Sequence, residues 1–273
     1  MKKGAFTFVL HSHLPYCRRA GRWPHGEEWL HEALLETYLP LLNALYDLKD
    51  EGCRFKLTIG ITPVLTEQLA DPLILEHFRA YLEDRLGRAR ADVERSQKVD
   101  HGHLTYLARF YLDWHRRLAR SLEERFEGNP VRALKRLQDE GYLEIVGGAA
   151  THAYLPLLER DSSIYAQLKV GKDAYQRHFG CSPRSVWLPE CGYRPSFYLT
   201  QGKKTYTKPG LEGFLAELGV GLFFAETHTV EGGQPVGKAR GEVIGPYGSI
   251  PKRYVVPPAG YAEPTMKTTY LPY

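Results

Sequence analysis

Four apolar runs in the sequence each end in side chains that could bind a ligand or react. The four run ends are 11–13 (His-Ser-His), 150–154 (Ala-Thr-His-Ala-Tyr), 187–190 (Trp-Leu-Pro-Glu) and 225–228 (Ala-Glu-Thr-His). A carboxylate at the end of an apolar strand needs polar partners or a chemical task, because its charge is costly to bury. Polar residues also cap loops at strand ends, so position alone leaves both interpretations of Glu190 open. Glu190 is nevertheless the best single candidate for a reacting group.

Histidines are the second group of candidates. His11 and His13 lie two residues apart, so both face one side of a strand, which is compatible with joint metal ligation. The alternative is that each imidazole hydrogen-bonds neighbours or substrate hydroxyls. No aspartate or cysteine motif accompanies the pair, and this favours the alternative. His152 alone is typical of a satisfied core histidine, and only its place at a strand end makes it a candidate.

The elements that must position these residues alternate between strand and helix. Strands are predicted at residues 4–11, 54–61, 142–150, 185–190 and 220–225, and the main helices at 27–49, 131–140, 161–178 and 209–218. This order predicts parallel strands with helical crossovers. In barrels of parallel strands the active residues gather at the carboxyl ends, where loops meet over the barrel mouth. The candidate residues above occupy these ends.

Single residues add local expectations. The run before His11 is apolar without polar alternation, which predicts a first strand covered on both faces. Pro40 is expected to break or kink the helix at 27–49. Thr62 and Asp161 are expected to cap the helices that follow them, and Gly141 to close the helix at 131–140.

Two segments depart from the alternating pattern. Residues 74–126 predict a long helical insertion with an apolar stripe that we expect in the core, namely Leu107, Phe110, Trp114, Leu118 and Leu122. Residues 229–273 are rich in glycine and proline and predict an extended loop region of the same domain. Five strands are too few for a barrel, so residues 1–228 predict a partial one.

Composition excludes some classes of protein. The net charge of +4 is spread over mixed acidic and basic stretches and forms no basic stripe, so nucleic acid is not an expected partner. The first apolar run is too short for a signal-peptide core or a membrane span. Four widely spaced cysteines predict free thiols, a reducing compartment and no structural metal site. We therefore expect a cytoplasmic protein that does not contact membranes.

The motifs resemble those of a known enzyme family. HSHLPY at 11–16, EIVGGAATHAYLPLL at 144–158 and WLPECGY at 187–193 resemble the first three motif regions of glycoside hydrolase family 57. WPHGE at 23–27 and GITPVLTEQLAD at 60–71 are similar to its branching-enzyme group. The resemblance runs from residue 5 to about residue 235 in the family's order. It implies an incomplete (β/α)7 barrel, no metal or other cofactor, retained anomeric configuration, and an α-glucan such as amylose or glycogen as substrate.

Roles for individual residues follow from the resemblance. Glu190 matches the nucleophile, which attacks the anomeric carbon and forms a glycosyl-enzyme intermediate. Trp23 matches a tryptophan that stacks on glucan. The histidines that match positions lining the sugar subsite are His11, His13 and His152, and His228 follows the fifth strand where the family also has a histidine.

The sequence departs from the family pattern in two places. The family's acid/base is an aspartate of a fourth motif far downstream, followed by a helical domain, and this sequence stops at Tyr273 before either. Glu226 is the other carboxylate at a strand end, but the resemblance gives it no role. Branching enzymes also carry a tyrosine on the loop after the fifth strand; residues 232–241 have none, and Tyr247 is nearest. We expect this chain alone to be weakly active or inactive.

Four hypotheses remain open. The leading one is a 1,4-α-glucan branching activity, which cleaves an α-1,4 bond and transfers the chain to a 6-hydroxyl. A family α-amylase or 4-α-glucanotransferase is the second, and the missing loop tyrosine supports it. A metal-dependent polysaccharide deacetylase is the third, suggested by His11 and His13. A non-catalytic glucan-binding remnant is the fourth, and the sequence does not indicate an oligomeric state.

Overall fold

A five-stranded parallel sheet forms the centre of the molecule. The computed structural model describes residue 6 and residues 8–231, 238–240 and 254–256. In chain order the strands are β1 (Val9–Ser12), β2 (Leu57–Ile61), β3 (Leu143–Gly148), β4 (Ser185–Trp187), β5 (Phe197–Gln201), β6 (Lys204–Lys208), β7 (Leu222–Phe224), β8 (Lys238–Arg240) and β9 (Tyr254–Val256). The central sheet has the order β1-β2-β3-β4-β7, and every neighbouring pair is parallel. The prediction of parallel strands is confirmed.

Helices connect these strands and cover the sheet. They are α1 (Glu27–Ala33), α2 (Leu39–Asp50), α3 (Pro63–Ala70), α4 (Pro72–Lys98), α5 (Gly102–Arg120), α6 (Pro130–Asp139), α7 (Asp161–Phe179), α8 (Leu211–Glu217) and α9 (His228–Glu231). A large core joins β2 and β3 to α2, α3 and α6, and a smaller one joins β4 to α7 and α8. No helix among the described residues is long and apolar enough to cross a membrane.

The first strand is shorter and more exposed than its sequence predicts. It begins at Val9, and of the predicted start, residues 1–5 and 7 lie outside the described part. Val9 and Phe8 are exposed, so the expectation of a strand covered on both faces is wrong. The reason is its position, because β1 is at the edge of the sheet and pairs only with β2.

The helix predicted at 27–49 passes Pro40 without breaking. A π-helical turn, Leu34–Tyr38, joins α1 to α2, and Pro40 is near the amino end of α2. Proline lacks an N–H and clashes with the carbonyl four residues earlier. A wider π turn just before it accommodates both defects locally, so the helical path continues.

One predicted helix cap is confirmed and one is wrong. Thr62 is the N-cap residue of α3, as predicted, although its side chain makes no capping hydrogen bond. Asp161 is the first residue of α7 rather than its cap, and its carboxylate pairs with Lys208 of β6 at 3.0 Å. The Thr62 hydroxyl and the Asp161 carboxylate each have a partner distant in sequence. The left-handed glycine predicted after α6 is confirmed, since Gly141 has φ of 77°.

The predicted helical insertion is a pair of long helices, α4 and α5, that pack against each other. Its apolar stripe divides into two halves. Leu118 and Leu122 are buried in the main core, but Phe110 is 49% exposed and Leu107 is 36% exposed. The core prediction therefore holds only for the second half. Nearer the middle of α5, Leu112 packs on Leu86 and Ala89 of α4 in a small cluster separate from the main core.

Two strand pairs and one short helix were not predicted. Strands β5 and β6 form an antiparallel hairpin around Gly202, and a further antiparallel pair joins β8 to β9. Helix α9 starts at His228. The extended-loop prediction for 229–273 is thus wrong at 229–231, 238–240 and 254–256, and the rest of that range lies outside the described residues. The proposed domain division stays a prediction.

Candidate active site

The carboxyl ends of β1, β3 and β4 bring four predicted site residues together. His11 is on β1, His13 follows it, His152 follows β3, and Glu190 follows β4. The imidazole centroid of His152 lies 4.0 Å from that of His13 and 5.1 Å from that of His11. Nε2 of His152 lies 3.5 Å from Oε1 of Glu190. The side chains therefore form one cluster, which we call the Glu190 cluster.

The ring stack of this cluster continues across the sheet. The indole of Trp187 on β4 stacks on His11, with ring centroids 4.7 Å apart. The ring of Phe224 on β7 stacks on Trp187, with centroids 5.1 Å apart. These contacts fix the plane of His11. Trp187 was part of the motif that carries the resemblance, but the sequence did not mark Phe224. Its only signal was its place on the neighbouring strand.

Glu190 is held in an unusual backbone conformation. Glu190 and Cys191 have φ of 52° and 55°, and His152 across the cluster has φ of 58°. Side chains with a Cβ are disfavoured in this left-handed region. A backbone hydrogen bond stabilises this turn, because the amide of Cys191 donates to the carbonyl of Leu188 at 2.8 Å. The result is an outward carboxylate, because the Glu190 side chain is 75% exposed.

The three imidazoles are neutral near pH 7. Burial is the largest cause that lowers the pKa of His152 to about 4, and the neighbouring His13 and His11 contribute to this shift. Burial also lowers the pKa of His11 and of His13, while the Glu190 carboxylate opposes both shifts. Both ring nitrogens of His152 are buried; Nδ1 has no hydrogen-bond partner among the described residues, and Nε2 has only the Glu190 carboxylate at 3.5 Å. A neutral imidazole can bind a hydroxyl group as donor or acceptor.

Thr62 is a site residue that the sequence analysis missed. Its hydroxyl lies 3.0 Å from Nδ1 of His13, and Thr62 is only 2% exposed. This bond explains why the Thr62 hydroxyl makes no capping hydrogen bond at the start of α3. A hydrogen bond to one ring nitrogen fixes the orientation of an imidazole. The sequence signal was present, since a threonine at a strand end next to the histidine strand could have been considered as a site residue.

The loop after Glu190 has its own supports. Gly192 packs so closely on the ring of Tyr154 that a Cβ there would overlap the ring. The carbonyl of Cys191 accepts a hydrogen bond from the amide of Glu226 at 3.2 Å. Burial raises the pKa of the Cys191 thiol, and the nearby Glu226 and Glu190 carboxylates add to this. Glu226 thus contacts the loop after Glu190 through its backbone.

Trp23 is a predicted site residue outside the Glu190 cluster. It lies on the loop between β1 and α1, is 78% exposed, and stacks on no other ring among the described residues. His228 begins α9, and its side chain lies outside the described part of the structure. Among the described residues, no group of three or more histidines, cysteines, aspartates or glutamates is arranged to hold a metal ion.

This geometry has a definite chemical capacity. An exposed carboxylate can attack an electrophilic carbon, and neutral imidazoles beside it can bind the hydroxyls of a polar, uncharged substrate. Parallel strands that converge on such a cluster are typical of barrel enzymes. A model of the family described as glycosyl hydrolase family 57 matches residues 7–254. The chain therefore belongs to this family.

Individual relatives agree with this assignment. The 1,4-alpha-glucan branching enzyme TK1436 of Thermococcus kodakarensis is 42% identical over 244 residues, which are 89% of this chain and 35% of that protein. Its crystal structure matches with a TM-score of 0.76 at 39% identity, covering 87% of this chain and 42% of that one. The branching enzyme of Pyrococcus horikoshii matches with a TM-score of 0.74 at 43% identity, covering 82% of this chain and 42% of that one.

A relative with another activity is also similar. The alpha-amylase AmyC of Thermotoga maritima matches with a TM-score of 0.69 at 32% identity, covering 89% of this chain and 44% of that one. These likenesses confirm the predicted α/β barrel-type fold. The chain spans less than half the length of each of these relatives.

Proposed function

We propose that this chain carries the nucleophile and the sugar subsite of a retaining 1,4-α-glucan branching reaction. The observation that supports it most directly is the exposed Glu190 carboxylate beside three neutral imidazoles, in a chain of glycosyl hydrolase family 57. The similarity to two enzymes named as branching enzymes supports the choice of reaction. α-Glucan is the proposed substrate.

The first half-reaction forms a covalent intermediate. A carboxylate oxygen of Glu190 attacks the anomeric carbon of the glucose unit, the α-1,4 carbon–oxygen bond breaks, and the leaving 4-oxygen receives a proton from an acid. His11, His13 and His152 bind hydroxyls of the same glucose unit and place its anomeric carbon before Glu190. Their neutrality suits an uncharged sugar, because a buried cation would cost solvation energy.

The second half-reaction transfers the glucan. The 6-hydroxyl of an acceptor chain attacks the same carbon, its proton passes to the conjugate base, and the bond to Glu190 breaks. Two inversions retain the anomeric configuration. We assign the acid/base to the downstream aspartate that the family resemblance implies, and not to Glu226, to which that resemblance gives no role.

A substrate that needs no acid tests Glu190 directly. Fluoride leaves without protonation, so α-glucosyl fluoride should glycosylate Glu190 in this chain, and the missing base should leave the adduct long-lived. Intact-mass and peptide mapping should find the adduct on Glu190, lost in Glu190→Gln and kept in the matched Glu226→Gln. An adduct on Glu226 would contradict the assignment, and no adduct at all would indicate a non-catalytic glucan-binding protein.

Transfer to the 4-position or hydrolysis is the second candidate. The likeness to AmyC and the missing tyrosine at 232–241 favour it. Assays on amylose with iodine staining and branch counting separate the two, because only branching creates 1,6 linkages.

Free thiols at all four cysteines support the further proposal of a cytoplasmic protein of glycogen metabolism.

A further inference from the structure

A second concave site lies beside the Trp23 loop. A cavity of about 460 Å³ is lined by this loop, α1 and α4. Its polar lining includes Arg22, Glu27, His77 and Asp84, and its apolar lining includes Ala80 and the ring of Tyr81. None of the residues that line it belongs to the Glu190 cluster. An apolar lining with a few polar groups is typical of small-molecule sites.

The loop that forms one wall is held from several sides. The backbone amide of Cys17 donates to the Gln68 side chain at 2.7 Å, and that of Arg19 donates to the Glu27 carboxylate at 2.6 Å. Gly26 packs so tightly on the carbonyl of Gly21 that a Cβ would overlap it. The wall is therefore preformed, which lowers the entropic cost of binding. The same anchoring holds the exposed indole of Trp23 next to Arg22, which lines the cavity.

The carboxylates of this cavity are paired within the protein. Glu27 accepts from the backbone amide of Arg19 and pairs with His77. Asp84 pairs with Arg22, Arg85 and Arg88. His31 also lines the cavity and is neutral near pH 7, because burial lowers its pKa to about 4. Arginines that are already paired attract an anion such as phosphate less strongly than free ones. The cavity suits an uncharged ligand with many hydroxyls, which carboxylates and guanidinium groups bind as acceptors and donors.

We propose that this cavity, with the adjacent Trp23, is a second α-glucan site that binds sugar units away from the bond being cleaved. The polar side chains of the cavity bind hydroxyls, and its Ala80 side contacts the C–H face of a sugar. The exposed Trp23 indole, which the family resemblance already matches to a glucan-stacking tryptophan, stacks on the next unit. The inference rests on the proposed function for its ligand class. It assigns Glu27, His77 and Asp84 to glucan binding.

Histidine NMR signals can report the two sites separately in the intact chain. His77 and His31 line the cavity, while His11 and His13 belong to the Glu190 cluster, so each site has its own reporters. The probe is maltotriose, with inorganic phosphate as the charged alternative. Ala80 is exposed on α4, so Ala80→Leu fills the cavity without removing a contact. Ala91→Leu, also exposed on α4, is the matched control.

We expect maltotriose to shift the His77 signal, and Ala80→Leu to raise the apparent Kd from that signal at least about tenfold, or about 1.4 kcal/mol. The Kd from the His11 signal should not change, and Ala91→Leu should match the parent. A silent His77 at maltotriose concentrations that saturate His11 overturns the second site alone. A response to phosphate without one to maltotriose also overturns it. Silence of His11 with a responding His77 contradicts the proposed catalytic subsite instead.

Discussion

The catalytic capacity of the Glu190 cluster depends on backbone conformation as much as on residue type. Glu190, Cys191 and His152 all have positive φ without being glycine. Such residues cost of order 1–3 kcal/mol each and persist where the surrounding structure enforces them. Here the buried Leu188 and the Cys191-to-Leu188 hydrogen bond hold the turn. The strain is the cost of an exposed carboxylate at the end of a buried strand.

Glycine at position 190 should release this strain. We expect Glu190→Gly to unfold with a free energy about 1 kcal/mol higher than Glu190→Ala, because only alanine keeps a Cβ in the left-handed region. Urea unfolding of both variants measures the difference. At Glu76, exposed on α4, the order should reverse, since glycine costs about 1 kcal/mol relative to alanine inside a helix. An alanine variant at 190 as stable as the glycine variant would show that the turn is unstrained.

Residue types at strand ends were enough to predict which side chains meet, but not their precise contacts. The sequence predicted His11, His13, His152 and Glu190 as site residues, and the structure brings them together; their roles stay proposals. It missed Thr62, because a threonine before a proline also fits a helix cap. The hydroxyl makes one bond or the other, and the nearby His13 decides it in three dimensions.

Helices and strands were predictable where the spacing of apolar residues within one segment indicates the element. The strand-helix order and the closing glycines followed from apolar spacing and from the freedom of glycine at positive φ. The hairpin of β5 and β6 was missed, although residues 197–208 alternate around Gly202 and match a hairpin signal. The exposure of Phe110 and of Val9 was not predictable, because it depends on whether another element covers them.

Alanine substitutions at two helical glycines separate the effect of tight packing on stability from the effect of helix propensity. Gly171 of α7 lies against the end of β3, and a Cβ there would overlap the carbonyl oxygen of Gly148. We expect Gly171→Ala to lower the free energy of unfolding by about 1–3 kcal/mol, because helix and sheet must move apart. Gly87 of α4 has open space around it, so Gly87→Ala should raise that free energy by about 0.5–1 kcal/mol.

Chemical unfolding of the two alanine variants beside the parent chain checks both signs. The comparison is matched, because each variant adds one methyl group to a helix interior. Equal effects at the two positions would mean that α7 does not lie on β3 as closely as described. The result would bear on the site as well, since Gly148 leads into the His152 turn.

At the scale of the whole molecule, burial couples the site to overall stability. His152 in the Glu190 cluster and His31 in the second cavity are both held neutral by desolvation, and burial is the largest cause that lowers the pKa of each to about 4. One belongs to the turn after β3 and the other to α1, so the two lie in different parts of the fold. Both proposed sugar sites thus contain imidazoles that the folded state keeps uncharged.

Acidification should destabilise the fold through these histidines. Unfolded histidine titrates near pH 6.5 and the folded pKa of His31 is about 4, so the unfolded state binds more protons between these values. The stabilisation is complete above about pH 6.5 and is lost as pH falls toward 4.

His31→Phe keeps an aromatic ring between Phe78 and Tyr81 but cannot be protonated. We therefore expect its unfolding free energy to fall less than that of the parent between about pH 7 and pH 5, measured by urea unfolding at each pH. His103→Gln, at an exposed position of α5, should give a curve parallel to the parent. Parallel curves for His31→Phe would instead mean that solvent reaches the imidazole of His31 and that the second cavity is open at this side chain.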